Sequence, residues 1–168
     1  MLIGDSHLAR MRRSLALIDR EVTNAAVGGS TVLDLVSQLD GLQAERHSGV
    51  LLSIGTNDAA PWRGISLELF AETLSGVLGR LDGAAVTYLA PPGVVEARLP
   101  ADAPWTNAAV DEYRAAAIAV CRLRDVRVIR ADRLLQARGA KAFSRDGVHL
   151  SGAGYRALLP SIKAVTAH

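Results

Sequence analysis

Val50-Leu51-Leu52-Ser53-Ile54-Gly55-Thr56-Asn57-Asp58 is a short apolar run that ends in a glycine and polar residues. A run of this kind, with no proline inside it and turn residues after it, is typical of a buried strand in a parallel sheet. The next segment, residues 66–81, has apolar side chains at spacings of three and four, among them Phe70, Leu74 and Leu78. This spacing predicts an amphipathic helix. A strand followed by a helix is the building unit of an α/β sheet.

The same alternation of strand and helix continues along the whole chain. Five apolar runs predict parallel strands, at residues 1–3, 22–27, 50–54, 84–90 and 126–129. Five segments with helical spacing lie between or after them, at residues 8–18, 31–42, 66–81, 107–123 and 152–165. Because such helices cover both faces of the sheet, the pattern predicts an α/β fold, a three-layer flavodoxin-like sandwich with a five-stranded parallel sheet.

The length and composition are those of one ordinary globular domain. The chain has 168 residues, of which 49% are hydrophobic and 21% charged, so we expect a single domain over residues 1–168 and exclude a disordered, collagen-like or coiled-coil chain. No run of about 18 uncharged apolar residues occurs, so no membrane span is predicted. The N-terminus lacks the pattern of a signal peptide, and we expect a cytoplasmic protein unless a leader was trimmed.

The charge and the cysteine content exclude further classes of protein. The net charge is only +2 and the basic residues are scattered, so no nucleic-acid partner is predicted. Cys121 is the one cysteine, which excludes intramolecular disulfides and cysteine-rich metal clusters, and its place late in an alanine-rich helix predicts a small buried side chain. No nucleotide-binding glycine motif follows a predicted strand, and we expect neither a cofactor nor a metal ion.

Glycines and polar residues follow three of the predicted strands and precede the last helix. Because the carboxyl ends of parallel strands share one edge of the sheet, we expect these segments to converge there. Each segment alone also has an ordinary structural explanation as a helix cap or a turn, but such roles do not explain why all four occur at one edge. The four segments are Gly4-Asp5-Ser6, Gly28-Gly29-Ser30-Thr31, Gly55-Thr56-Asn57-Asp58 and Asp146-Gly147-Val148-His149.

These four segments, in this order, resemble the sequence blocks of the SGNH hydrolases, also called GDSL-like lipases and esterases. The resemblance covers the chain from its first strand to its last helix. The resemblance implies a serine esterase in which Ser6 is the nucleophile. A serine hydroxyl needs an adjacent base, and the resemblance gives that role to His149, with Asp146 orienting the imidazole. The α/β-hydrolase elbow G-x-S-x-G is a different motif, and it is excluded here because Leu8 stands two residues after the serine.

The resemblance also implies an oxyanion hole for the tetrahedral intermediate. Its three donors are the N–H of Ser6, the N–H of Gly29 and the side-chain amide of Asn57. The assignment to Gly29 depends on a one-residue choice of alignment, and Gly28 is the alternative. His7, although next to the nucleophile, is expected to stay outside catalysis, and His47 and His168 are expected at the surface.

Two loops, residues 59–65 and 91–105, leave the strand ends toward the same edge. They carry both tryptophans, Trp62 and Trp105, together with Arg63, and we expect these three side chains to bind substrate, since loops at this edge usually carry specificity. A capping hydrophobic cluster is an equal alternative for the tryptophans, and Arg63 or Arg98 could meet an anionic group.

So short a chain has no room for a helical lid, which predicts short-acyl esters, such as acetyl esters of a sugar, metabolite or lysolipid. The sequence leaves open an acyltransferase that uses the same acyl-enzyme and, third, a non-catalytic binding domain. It does not predict the oligomeric state.

Overall fold

The computed structural model of the chain describes residues 1–11, 18, 22–40, 49–103 and 105–166. Its sheet has four parallel strands in the order β1-β2-β3-β4: β1 Leu2–Gly4, β2 Gly49–Ser53, β3 Ala85–Ala90 and β4 Arg127–Arg130. All four strands end at one edge, where the loops that carry the predicted site begin. The α/β fold with a parallel sheet is confirmed.

Six α-helices connect or follow the strands in the described part of the chain: α1 Ser6–Ala9, α2 Asp34–Asp40, α3 Leu67–Arg80, α4 Asn107–Leu123, α5 Ala131–Leu135 and α6 Gly152–Thr166. Three 3-10 segments join them, Pro61–Arg63, Glu96–Arg98 and Gln136–Ala142. Hydroxyl groups begin the two long middle helices, since Ser66 accepts from the N–H of Leu69 and Thr106 from that of Ala109. No described helix has both the length and the apolar character that crossing a membrane requires.

The prediction of a strand at residues 22–27 is wrong. This segment runs beside β1 and donates or accepts three backbone hydrogen bonds with it, but only Leu2 and Asn24 form a parallel bridge. The regular ladder is interrupted at Gly4, whose N–H donates to Oε1 of Gln38 at 2.7 Å instead of to this segment. The Gly4 carbonyl accepts both from the N–H of Val27 and from Nε2 of Gln38, each at 3.0 Å. A side-chain amide thus occupies the place where a regular strand would pair.

The core lies on both faces of the sheet. Neighbouring residues of a strand point to opposite faces, and accordingly Leu52 belongs to one apolar cluster and Leu51 to another. The first cluster packs α2, α3 and α4 against the sheet, and the second packs α1, α5 and α6. The three-layer arrangement follows from these two clusters.

Some sequence predictions lie outside the described residues. Residues 12–17 of the predicted helix 8–18 and residues 41–42 of the predicted helix 31–42 are among them, as are His47 and His168.

Candidate active site

Ser6 lies at a sharp turn between β1 and α1. The turn requires Gly4, whose φ is +126° and where a Cβ would lie 1.9 Å from the carbonyl oxygen of Ser53. Asp5 caps α1, because its Oδ1 accepts a hydrogen bond from the N–H of His7 at 3.0 Å. Ser6 is therefore the first residue of the helix and is 7% exposed. Its N–H meets no acceptor among the residues that the structure describes.

Asp146 and His149 are in direct contact. Oδ2 of Asp146 lies 2.8 Å from Nδ1 of His149, while Oδ1 accepts from the N–H groups of Val148 and His149 and from the hydroxyl of Ser144, at 3.0, 2.9 and 2.8 Å. Burial by itself would raise the pKa of Asp146, but these hydrogen bonds, foremost that from the His149 N–H, hold it well below its usual range. Asp146 is thus an anion that fixes the imidazole through Nδ1.

No hydrogen bond joins Ser6 to His149 among the described residues, but the residue next to Ser6 lies near the imidazole. The ring centroid of His7, the residue after Ser6, lies 6.5 Å from that of His149. His7 is buried, and this burial, followed by the charges of His149 and Arg10, lowers its pKa to about 3. The hydroxyl of Tyr155 donates to the His7 carbonyl at 3.0 Å and so connects α6 to α1.

Asn57 connects the loop after β2 to the turn that precedes α2. Its Nδ2 donates to the carbonyl of Ser30 at 2.8 Å. A carboxamide carries two N–H donors, so one is held by the protein and the other is available to a ligand. The side chain is half-buried.

The two candidate glycines have different surroundings. A Cβ on Gly28 would lie 3.8 Å from the Cβ of Ser6, so Gly28 borders the serine. Gly29 has a φ of +82°, and its carbonyl accepts from Nη2 of Arg63 at 3.1 Å. Neither glycine N–H meets an acceptor within the described ranges. Which of the two contributes to an oxyanion hole stays a prediction.

Two buried carboxyl groups lie beneath this surface. Asp58 accepts from the N–H of Val32 at 2.7 Å and from that of Gly55 at 3.0 Å, and burial raises its pKa to about 6. For Asp5, burial raises the pKa to about 7 despite the hydrogen bond from His7, with a further contribution from the charge of Asp58. Asp58 joins the loops that carry Gly29 and Asn57, a role that the sequence does not reveal.

The three predicted substrate residues lie together beside the Gly29 turn. The rings of Trp62 and Trp105 meet edge to face, with centroids 5.5 Å apart and planes at 83°. Trp62 is 56% exposed, whereas Trp105 packs against the core. Arg63, the next residue, donates to the Gly29 carbonyl. The cluster is thus both a cap, through Trp105, and an open aromatic surface, through Trp62.

Other polar side chains have roles that the sequence did not predict or that differ from the prediction. Arg98 donates to three backbone carbonyls, of Ala140, Phe143 and Ser144, rather than facing an anion. Cys121 is fully buried, which confirms the prediction of a small buried side chain, and burial raises its pKa to about 12. No three His, Cys, Asp or Glu side chains of the described residues form a group that could hold a metal ion.

Comparisons with known proteins identify the family of the chain and relatives with the same fold. A family model described as the GDSL-like Lipase/Acylhydrolase family matches residues 4–157. The lipase/acylhydrolase from Enterococcus faecalis is 22% identical with a TM-score of 0.82, over 98% of this chain and 94% of that one. Axe2, an acetylxylan esterase from Geobacillus stearothermophilus, is 18% identical with a TM-score of 0.74, over 99% of this chain and 93% of that one. No curated protein matches the sequence.

Several solved structures of Axe2 are variants of that enzyme. Those described as catalytic mutants replace a serine, an aspartate and a histidine by alanine, and the aspartate and histidine stand three positions apart.

Proposed function

Because this chain belongs to the GDSL-like lipase/acylhydrolase family and is therefore an ester hydrolase, we propose that it cleaves short-acyl, acetyl-like esters of a small molecule by means of a Ser6–His149–Asp146 triad. The observation that carries this proposal is the contact of 2.8 Å between Asp146 and Nδ1 of His149. Because this contact occupies Nδ1, the other ring nitrogen, Nε2, is left to accept the proton of a nucleophile. The catalytic serine, aspartate and histidine of Axe2 support the same assignment, since Asp146 and His149 have the same separation.

The reaction proceeds in two halves. In the first, Nε2 of His149 takes the proton of Ser6 as Oγ attacks the ester carbonyl, and the proton then passes to the leaving alcohol. In the second, water attacks the acyl-Ser6 ester, and the same histidine takes the proton of the water and returns it to Oγ. Asp146 stays ionised throughout and stabilises the imidazolium. Its four hydrogen bonds favour that ionised form.

The negative oxygen of each tetrahedral intermediate is bound by donors that the folded chain keeps available. These are the N–H of Ser6, the N–H of Gly29 and the second N–H of the Asn57 amide. Two of them are fixed before the substrate arrives, because α1 holds the N–H of Ser6 and the hydrogen bond to the Ser30 carbonyl holds the amide of Asn57. Donors fixed in advance need no reorganisation when the charge develops.

The alcohol part of the substrate is a sugar or a comparably flat small molecule. The exposed face of Trp62 supports this choice, because the apolar face of a sugar ring packs well on an indole that is held in one orientation. Arg63 has four N–H donors besides the one on the Gly29 carbonyl, and these can reach hydroxyl groups. The acetylxylan specificity of Axe2 is in line with such a substrate.

The test replaces Ser6 and varies the acyl group in one assay. With p-nitrophenyl acetate, Ser6→Ala should lose activity while its thermal unfolding stays close to that of the unchanged protein, and a fluorophosphonate should label Ser6 alone. Each buried CH₂ is worth about 0.8 kcal/mol, or roughly fourfold, but a pocket built from short loops covers only a few carbons. We therefore expect kcat/KM to peak between acetate and about hexanoate.

Full activity of the alanine variant, or labelling at another residue, would overturn the triad. If kcat/KM rose steadily with acyl length up to decanoate, only the short-acyl proposal would be contradicted. Addition of an alcohol acceptor separates hydrolysis from acyl transfer, since transfer would give a new ester in place of the free acid.

A further inference from the structure

One guanidinium contacts three backbone carbonyls of the segment that leads into Asp146 and His149, a segment that Ser151 also holds through hydrogen bonds to the carbonyls of Lys141 and Ala142. Nη1 of Arg98 donates to the carbonyls of Ala140 and Ser144, each at 3.0 Å, and to that of Phe143 at 3.4 Å. No carboxylate of the described residues forms an ion pair with Arg98. The permanent positive charge of this exposed arginine is therefore directed, within the described residues, at backbone carbonyls and not at a carboxylate.

The same loop also contacts the turn between the two catalytic side chains. The N–H of Val95 donates to the Gly147 carbonyl at 2.7 Å. Gly147 has a φ of +73°, and a Cβ there would lie 2.7 Å from the Val95 carbonyl and 2.9 Å from the Cβ of Arg98. The two backbones are thus packed as closely as glycine permits, which leaves the turn little freedom to shift against Arg98.

Arg98 itself stands on a fixed base. It ends the 3-10 segment Glu96–Arg98, and Oε1 of Glu96 accepts from the backbone N–H and from Nδ2 of Asn107, at 2.6 and 3.1 Å. Asn107 also exchanges two hydrogen bonds of 2.9 Å with the backbone of Val94. Asn107 is the first residue of the 17-residue helix α4. The 3-10 segment that carries Arg98 is therefore anchored to a long helix of the fold.

A chain of contacts leads from Arg98 to the imidazole. The carbonyl of Ser144 is held by Arg98, and the hydroxyl of Ser144 lies 2.8 Å from Oδ1 of Asp146 and 3.0 Å from the His149 carbonyl. Asp146 in turn holds the His149 ring. On the basis of the proposed triad, we propose that Arg98 is a positioning residue that sets the place of the Asp146–His149 pair relative to Ser6.

The test is Arg98→Ala, assayed with p-nitrophenyl acetate. A misplacement of about 1 Å can cost roughly 100-fold in rate, so we expect kcat to fall about 10- to 100-fold while KM stays within about twofold. Added methylguanidinium should recover part of the lost kcat by occupying the vacated position, which it would not do if the arginine merely stabilised the fold. Arg145→Ala is the matched control, because Arg145 is an exposed arginine on the same turn. Its kcat should equal that of the unsubstituted protein.

A second variant, Arg98→Lys, keeps the proposal testable if the alanine variant fails to fold. The lysine side chain ends one bond short of the position of Nη1, the one atom that donates to all three carbonyls, so its ammonium should hold them less well and kcat should fall at least about threefold at constant KM. An unchanged kcat in either folded variant, or an alanine variant whose kcat falls but does not respond to methylguanidinium, would overturn the proposal. Failure of the triad itself is recognised separately, because Ser6→Ala would then keep its activity in the unsubstituted background.

Discussion

The two N–H groups of the Asn57 side chain have different roles. One N–H is bound to the Ser30 carbonyl, and the other is proposed to stabilise the oxyanion. Asn57→Ala should therefore lower kcat by about 10²- to 10³-fold with little change in KM, because a donor to a developing charge acts mainly in the transition state. Steady-state kinetics with p-nitrophenyl acetate measures both constants.

The control for this variant is Ser37→Ala, which removes an exposed hydrogen bond to the Asp34 carbonyl and should leave both constants unchanged. If instead KM rose alone in Asn57→Ala, the amide would be a substrate-binding group and not an oxyanion donor.

Individual site residues differ in how far the sequence reveals them. Ser6, Asp146 and His149 could be proposed from residue types in a fixed order, because their chemistry depends on the side chain itself. Gln38 and Arg98 could not, because both act on backbone groups of segments distant in sequence, 34 positions away for Gln38 on Gly4 and at least 42 for Arg98. Only the folded chain shows that such a side chain meets such a carbonyl.

The short 3-10 segment Pro61–Arg63 carries the exposed indole of Trp62 beside the Gly29 turn. If a sugar ring covers about 40 Å² of that face, the contact is worth about 1 kcal/mol, which is roughly fivefold in affinity. Trp62→Ala should thus raise KM about fivefold for an acetylated sugar and leave kcat, and the KM for p-nitrophenyl acetate, nearly unchanged. Michaelis–Menten kinetics with the two substrates measures the difference.

Trp62→Phe should keep most of the affinity, since a smaller aromatic face remains. Leu123→Ala serves as the control, because Leu123 is 88% exposed and lies at the end of α4. Equal KM values of Trp62→Ala and the unchanged protein for the acetylated sugar would contradict a sugar-binding surface at this position.

Helices and strands were predictable to the extent that periodicity extends over their length. Helix α4 begins and ends where the spacing predicts, at Asn107 and Leu123, and α3 differs by one residue at each end from the predicted 66–81. Helix α5, Ala131–Leu135, was missed because five residues are too few to show a period. The segment 22–27 has the composition of a strand, but the N–H of Gly4 in β1 donates to the side-chain amide of Gln38 instead of to this segment. No local sequence pattern predicts such a contact.

Two buried carboxyl groups should make the free energy of unfolding fall as the pH rises toward neutrality, while buried His7, whose pKa is lowered to about 3, acts in the opposite direction up to about pH 6.5. Burial raises the pKa of Asp5 to about 7 and that of Asp58 to about 6, whereas in the unfolded chain both titrate near 4. The stability that each neutral carboxyl contributes is full below about pH 4 and is lost as the pH rises through its folded value. Within that window each group changes the unfolding free energy by up to about 1.4 kcal/mol per pH unit.

Asp5→Asn should make this decline shallower, because asparagine keeps the helix cap and does not titrate. Thermal unfolding followed by far-UV circular dichroism at several pH values from 5 to 8 measures the slope of Tm against pH. Asp102→Asn, at an exposed site, should keep the original slope. The prediction is wrong if Asp5→Asn and the unchanged protein lose Tm at the same rate.

The contact between Trp62 and Trp105 gives the molecule an internal optical label. These are the only tryptophans of the chain, and their rings are 5.5 Å apart. Tryptophan emission therefore originates entirely beside the proposed site and carries no signal from the opposite end of the sheet. A change in emission that precedes the loss of helical circular dichroism on heating would mark the opening of these two loops as an event distinct from the melting of the core.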